Sequence, residues 1–142
     1  MSSGLPSAGG ASAAGVYLLD SSVFIRSLRG DAAMAARIAS APQVYISSTV
    51  LGELYYGAYG SPTRPDSAVA DVETIEKTVA ALSSDGMTAR IYARIKLDLN
   101  KRGLTIPDND LWMAAIAIQY NVTLAAHDAH FDWISGLRVE QW

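Results

Sequence analysis

No cysteine occurs among the 142 residues, which excludes a disulfide framework, a thiolate metal site and a cysteine nucleophile. That is compatible with a reducing cytoplasm. Charge is scarce: 18% of residues are Asp, Glu, Lys or Arg, and the formal net charge is −3. Bulk positive charge therefore does not announce a nucleic-acid binder, and any contact with a polyanion needs a local basic patch. No apolar run approaches the roughly 18 residues of a membrane span, so no membrane partner is expected. The opening "MSSGLPSAGGASAA" lacks the basic start and apolar stretch of a signal peptide. Its Gly, Ser and Ala content reads as a flexible leader over residues 1–15, with one folded domain over residues 16–142. What the chain does have is apolar content: half of it is hydrophobic, enough at this length to close a real core.

Hydrophobic runs and helix signals alternate along that domain. Residues 16–19 form a continuous apolar run, as in a parallel strand covered on both faces. A short helix follows from Ser21, broken by Gly30. Asp31 is placed to cap "AAMAARIAS", which Pro42 stops. "QVYIS" is a second strand, and Ser47 or Ser48 caps a helix ending at Gly57 or Gly60. Val69, Val72, Ile75, Val79 and Leu82 keep a helical period and predict a helix over 66–82. After the turn "SSDG" comes another helix, with Ile91, Ile95 and Leu99 inward and Gly103 as its stop. In it Arg94, Asp98 and Arg102 are spaced for surface ion pairs. "LWMAAIAIQY" is so apolar that it must be buried, or partly buried in a partner. "VTLAA" is a strand, and "RVEQW" offers one more. This order predicts an α/β fold: a parallel sheet with helices on both faces.

In such a sheet, ligands bind at the carboxyl ends of the strands. Asp20 ends the first strand in "VYLLDSSVFI", and Asp128 follows "VTLAAH". Glu53 lies within two turns of the start of the helix after the second strand, among Val50, Leu51, Leu54 and Tyr55. Asp110 lies in the first turn of the apolar helix. Each acid alone has a plain structural explanation as a turn former, a helix cap or a partner of the helix dipole. Four at one sheet edge repel one another and stay ionised together only with cations between them. Hard oxygen ligands suit Mg²⁺ or Mn²⁺, and such a cage suits phosphodiester hydrolysis.

The segments "YLLDSSVFI", "ISSTVLGELYYG", "IPDNDLWMAAIA" and "LAAHDAHFDWISGLRV" stand in the order and spacing of a PIN domain. More narrowly the chain resembles the VapC toxins of bacterial type II toxin–antitoxin pairs, from about residue 16 to 142. The resemblance implies a PIN-like α/β/α sandwich with a mostly parallel central sheet, and a Mg²⁺- or Mn²⁺-dependent ribonuclease that uses a metal-bound water. The family's four acids fall on Asp20, Glu53, Asp110 (with Met113 where the family has Ile) and Asp128, with Phe131 matching the family's aromatic. Ser22 falls where a Ser or Asn holds the first carboxylate. Asp108 stands two positions too early and is the fallback for Asp110. Where the family often has Thr or Ser two residues before the fourth acid, this chain has Ala126. The resemblance further implies an RNA substrate, a cognate VapB-like antitoxin that reaches into the acidic pocket, and a homodimer. DNA would be met only through the antitoxin.

Several features stay open between a functional and a plain reading. His127 and His130 flank Asp128 as metal or base groups, or as ordinary surface histidines. Arg26 and Arg29 meet phosphates or solvate a helix. Arg90, Arg94 and Lys101 form an RNA-backbone stripe or a solvated face. Tyr55, Tyr56, Tyr59 and Trp112 stack bases or pack. Two other enzyme classes built on Asp20 fit poorly. An aspartyl-phosphate phosphatase needs a second Asp where Ser22 stands, and a receiver needs a Lys on a late strand, beyond the last one at Lys101. A non-catalytic PIN-like RNA- or protein-binding module is the remaining alternative, and Ala126 is the feature that favours it.

Overall fold

Consecutive buried residues open the first strand's account. In the computed structural model, which describes residues 15–142, Leu18 and Leu19 are both fully buried. Neighbouring strand residues point to opposite faces, so both faces of this strand are covered. The same holds for Tyr45, Ile46 and Ser47, and for Leu124, Ala125 and Ala126. The strands are β1 (Val16–Leu19), β2 (Gln43–Ser47), β3 (Ala80–Leu82), β4 (Thr123–Ala126) and β5 (Val139–Gln141). They form one sheet in the order β3-β2-β1-β4-β5, and every pair is parallel. Between them run α1 (Ser21–Leu28), α2 (Ala32–Ser40), α3 (Ser48–Tyr59), α4 (Pro65–Thr78), α5 (Gly86–Lys101) and α6 (Asp108–Tyr120). The α/β/α sandwich is thus the expected one. The leader reading for residues 1–15 lies almost wholly outside the described residues. Among the described residues no helix is long and apolar enough to cross a membrane.

The helix starts are set by the side chains the sequence offered. Asp31 accepts from Met34 N at 3.0 Å and Ser47 Oγ from Val50 N at 3.1 Å, each satisfying an otherwise unpaired amide of a first turn. Of the two glycines expected to end α3, Gly60 is the cap. Asn121 ends α6 in the left-handed conformation, φ 55°, which turns the chain straight into β4. Gly15 enters β1 at φ +77°, with a Cβ there only 2.7 Å from the Pro42 ring; only glycine fits.

One expectation fails. The helix predicted over 66–82 stops at Thr78, and Ala80–Leu82 pair with β2 as strand β3. Val79 and Leu82 satisfy a helical spacing and a short buried strand equally, and periodicity cannot separate the two over so few residues. What decides is the long-range pairing of Leu82, fully buried, with Ser47.

The last residue described ties the sheet to the first helices. Trp142 is buried, and its amide donates to the Ala126 carbonyl at 3.2 Å. Arg37 lies over its ring at 4.5 Å, Tyr17 packs beside it, and Arg26 donates to its carbonyl at 2.9 Å.

Candidate active site

The strand order reverses at β1. The chain builds outward from β1 through β2 to β3, then returns to add β4 and β5 on the other side. The carboxyl ends of β1 and β4 therefore flank the topological switch point, where open parallel sheets leave a crevice. Asp20 directly follows β1, and its amide donates to the Ala125 carbonyl of β4 at 3.0 Å. Asp128 follows β4 by two residues. Helix α3 leaves the carboxyl end of β2, the other neighbour of β1, and carries Glu53 in its second turn. Helix α6 runs back against β4 through the tight turn at Asn121, so its first turn, with Asp110, returns to the same edge. All four acids singled out from the sequence reach one edge.

Three of the four carboxylates are held by named donors. Asp20 Oδ1 accepts from Ser21 N at 2.7 Å, and Oδ2 accepts from Ser22 Oγ at 3.3 Å. Glu53 Oε2 accepts from Asn109 Nδ2 at 3.2 Å. Asp128 Oδ1 accepts from the His130 amide at 3.1 Å. Ala126, which lacks the hydroxyl often found in the family, is fully buried in the sheet; the backbone of the following turn does the holding instead. Asp108, the fallback, is engaged elsewhere: Lys96 Nζ and Tyr92 Oη both donate to its Oδ1 at 3.0 Å. That pairing pulls the Asp108 carboxyl below its usual range.

The electrostatics link all four acids, and three of them are raised. Burial pushes the Asp20 carboxyl up, the donors Ser21 and Ser22 oppose this, and the charge of Asp128 adds to the rise. Burial also raises Asp110, with Asp20 next in effect and His130 opposing. Glu53 is exposed, but its carboxyl end is partly stripped of water, and this raises it ahead of the charges of Asp20 and Asp110. Among the described residues no three Asp, Glu or His side chains stand close enough together to hold a metal ion as they lie. The donor set is nonetheless the one a hard divalent cation takes, and its raised carboxyls are what a cation between them would relieve.

His130 is the residue that sequence reasoning undervalued. Its side chain is 17% exposed and lies between two of the acids, with Nε2 3.1 Å from Asp110 Oδ2 and Nδ1 3.1 Å from Asp128 Oδ1. Nε2 is buried, and the Asp110 contact has the length of a hydrogen bond but not its alignment. The available signal was its place two residues after the fourth acid, beside Phe131, whose fully buried ring it meets edge-on at 4.6 Å. His127 is exposed and lines a hollow of about 440 Å³ with Asp20, Ser22 and Asp128. Arg26 serves structure: it holds the Trp142 carbonyl and Asp31. The Tyr92 and Trp112 rings stack at 4.2 Å, so Trp112 packs against the protein itself.

Residues 17–137 match the PIN domain family. The chain is 30% identical over 129 residues to Ribonuclease VapC2 of Haemophilus influenzae, covering 89% of this chain and 97% of that one. Among solved structures it is similar to VapBC-1 from nontypeable Haemophilus influenzae: 26% identity, TM-score 0.80, 89% of this chain and 98% of that one. It is also similar to VapBC-5 from Mycobacterium tuberculosis, a member of the VapBC family of toxin–antitoxin systems, with 28% identity, TM-score 0.70, and 89% and 97% covered. With the acids at the switch point of a five-stranded parallel sheet and the match running across nearly the whole fold, the chain belongs to the PIN-domain family, among its VapC proteins.

Proposed function

We propose that this chain is a Mg²⁺- or Mn²⁺-dependent endoribonuclease, the toxin of a VapBC-type pair. The observation that carries the reading is the mutual repulsion of Asp20, Glu53 and Asp110 at one edge, which a folded protein tolerates where a cation completes the site. Asp20, Glu53, Asp110 and Asp128 would hold it. The bound ion would supply charge compensation for the phosphodiester and a water of lowered pKa.

The chain's own residues orient the acids. Ser21 and Ser22 fix the two oxygens of Asp20. Asn109, one position before Asp110, donates across to Glu53 and so ties the first turn of α6 to α3. The His130 amide fixes Asp128, and its ring lies against both Asp110 and Asp128. No Ser–His pair stands ready for covalent catalysis among the described residues, which agrees with water as the nucleophile.

The VapBC complexes among its structural neighbours support a VapB-like antitoxin that neutralises this chain. A homodimer, DNA contact through the antitoxin alone, and action on RNA in the cytoplasm complete the reading. A non-catalytic PIN-like binding module is the second reading, favoured by the spread of the carboxylates. The deciding experiment is cleavage of total bacterial RNA by purified protein with Mn²⁺ or Mg²⁺, with EDTA and Asp20→Asn as controls. Discrete cuts that vanish in both controls support the ribonuclease. No cutting with either metal, by folded protein free of antitoxin, selects the binding module.

A further inference from the structure

A groove of about 350 Å³ leads away from Glu53 between α1, α3 and the start of α4. Its floor is apolar, with Leu54, Ala58 and Val72, and Arg29 stands at its wall. We infer that Arg29 is a substrate-positioning residue that grips a phosphate of the RNA strand flanking the cleaved bond; this rests on the ribonuclease reading.

A chain of net charge −3 that gathers four acids at one edge repels an RNA strand; a bound ion offsets this at the cleaved bond, and an uncommitted cation beside the acids would offset it for the flanking phosphates. Most arginines are spent. Arg26 holds the Trp142 carbonyl and Asp31, Arg37 holds Glu140, Arg64 holds Asp71, Arg102 holds Asp98, and Arg138 holds Asn121. Arg29, Arg90 and Arg94 make no ion pair among the described residues. Arg90 and Arg94 stand on α5, and Arg94 lines a separate hollow with Ile134 and Ser135. Of the three, only Arg29 shares a cavity with one of the four acids. A guanidinium presents a planar fork matched to phosphate oxygens. The apolar floor suits ribose and base faces, which tolerate any sequence. A strand entering along the groove would thus meet a cation before reaching the acids.

The test uses Arg29→Ala, Arg29→Lys and Arg94→Ala, each in the full chain. Binding of a fluorescent single-stranded oligoribonucleotide is followed across salt concentrations in the Asp20→Asn background, where the RNA stays intact. Cleavage of the same RNA is followed with Mn²⁺ in the otherwise unaltered protein. Loss of one phosphate contact lowers the slope of log affinity against log salt by about 0.7 for a single strand. Arg29→Ala should show that drop, weaken binding on the order of fivefold, and raise KM by a like factor with kcat within about twofold. Arg29→Lys should restore the slope, and Arg94→Ala should leave it unchanged. Normal cleavage with an unchanged KM and slope in Arg29→Ala overturns the role of Arg29 and leaves the ribonuclease standing. Equal slope losses in Arg29→Ala and Arg94→Ala, or no RNA binding in the Asp20→Asn background, overturn it too. Binding that depends on Arg29 with no cleavage by the unaltered protein overturns the ribonuclease reading alone.

Discussion

Replacing Asp20 by Asn should make the metal-free protein more stable while abolishing its response to metal. The carboxyl of Asp20 is raised by burial and by Asp128, and it in turn raises Glu53 and Asp110. In the fold these groups bind protons more readily than in the unfolded chain. Their contribution to stability is therefore fully present below the unfolded carboxylate pKa, about 4, and is lost as pH rises through the raised values. Above those raised values the metal-free protein carries the repulsion in full. Asn keeps the shape, still accepts from Ser21 N with its oxygen, and removes one charge from the cluster. At an effective dielectric near 20, relief of one such charge is worth on the order of 1 kcal/mol, or about 3–5 °C in Tm for a domain of this size. Saturating Mn²⁺, at about 100 times its Kd, should add about 2.7 kcal/mol to the unaltered protein and much less to Asp20→Asn. The metal-induced gain should grow with pH as the carboxyls ionise. Thermal unfolding from pH 5 to 8, with Mn²⁺ or with EDTA, reads all of this. A lower Tm for Asp20→Asn in EDTA at neutral pH, or an equal Mn²⁺ shift in both proteins, refutes the reasoning.

Three further outcomes are expected. Ser22→Ala removes the donor to Asp20 Oδ2 and should cut RNA cleavage about 10- to 100-fold while stability moves by no more than about 0.5 kcal/mol, as rate assays and thermal melts would show. Asp108→Asn breaks the pairing with Lys96 and Tyr92 but leaves the four acids untouched, so cleavage should stay within about twofold; a loss like that of Asp110→Asn would reassign the third acid. Leu124→Ala empties a fully buried position on the inner strand β4 and should cost about 2–5 kcal/mol in denaturant unfolding.

Much of this was legible in the chain because the local signals and the global fold agree. The run before Asp20, the caps at Asp31 and Ser47, and the apolar α6 each specify one local structure, and parallel pairing then carries the acids to one edge. Strand β3 was not legible, since its three residues offer no pattern apart from α4 and its identity comes from pairing with β2. The place of His130 was not legible either. Its ring meets Asp110, twenty positions earlier, only after α6 and β4 have folded back against each other. The division among the arginines could not be read from spacing, since Arg26 and Arg29 lie on the same short stretch. Only the packing of Trp142 shows which of the two is occupied.

The pairing of β1 with β4 also governs when this protein can become active. Leu18 sits beside Leu124, and Leu19 beside Ala125, so two neighbouring inner strands of the sheet come from segments far apart in sequence. During synthesis at about 5–20 residues per second, Asp20 leaves the ribosome roughly five to twenty seconds before the strand that completes its surroundings. Parallel pairing over such a separation is also slow to form, because the intervening loop must be closed before any contact rewards it. The acids therefore come together only once β4 has been made and has paired with β1. The site is thus unfinished for a time after its first acid has been made, and that delay is a window in which a partner already present can meet the chain as it folds.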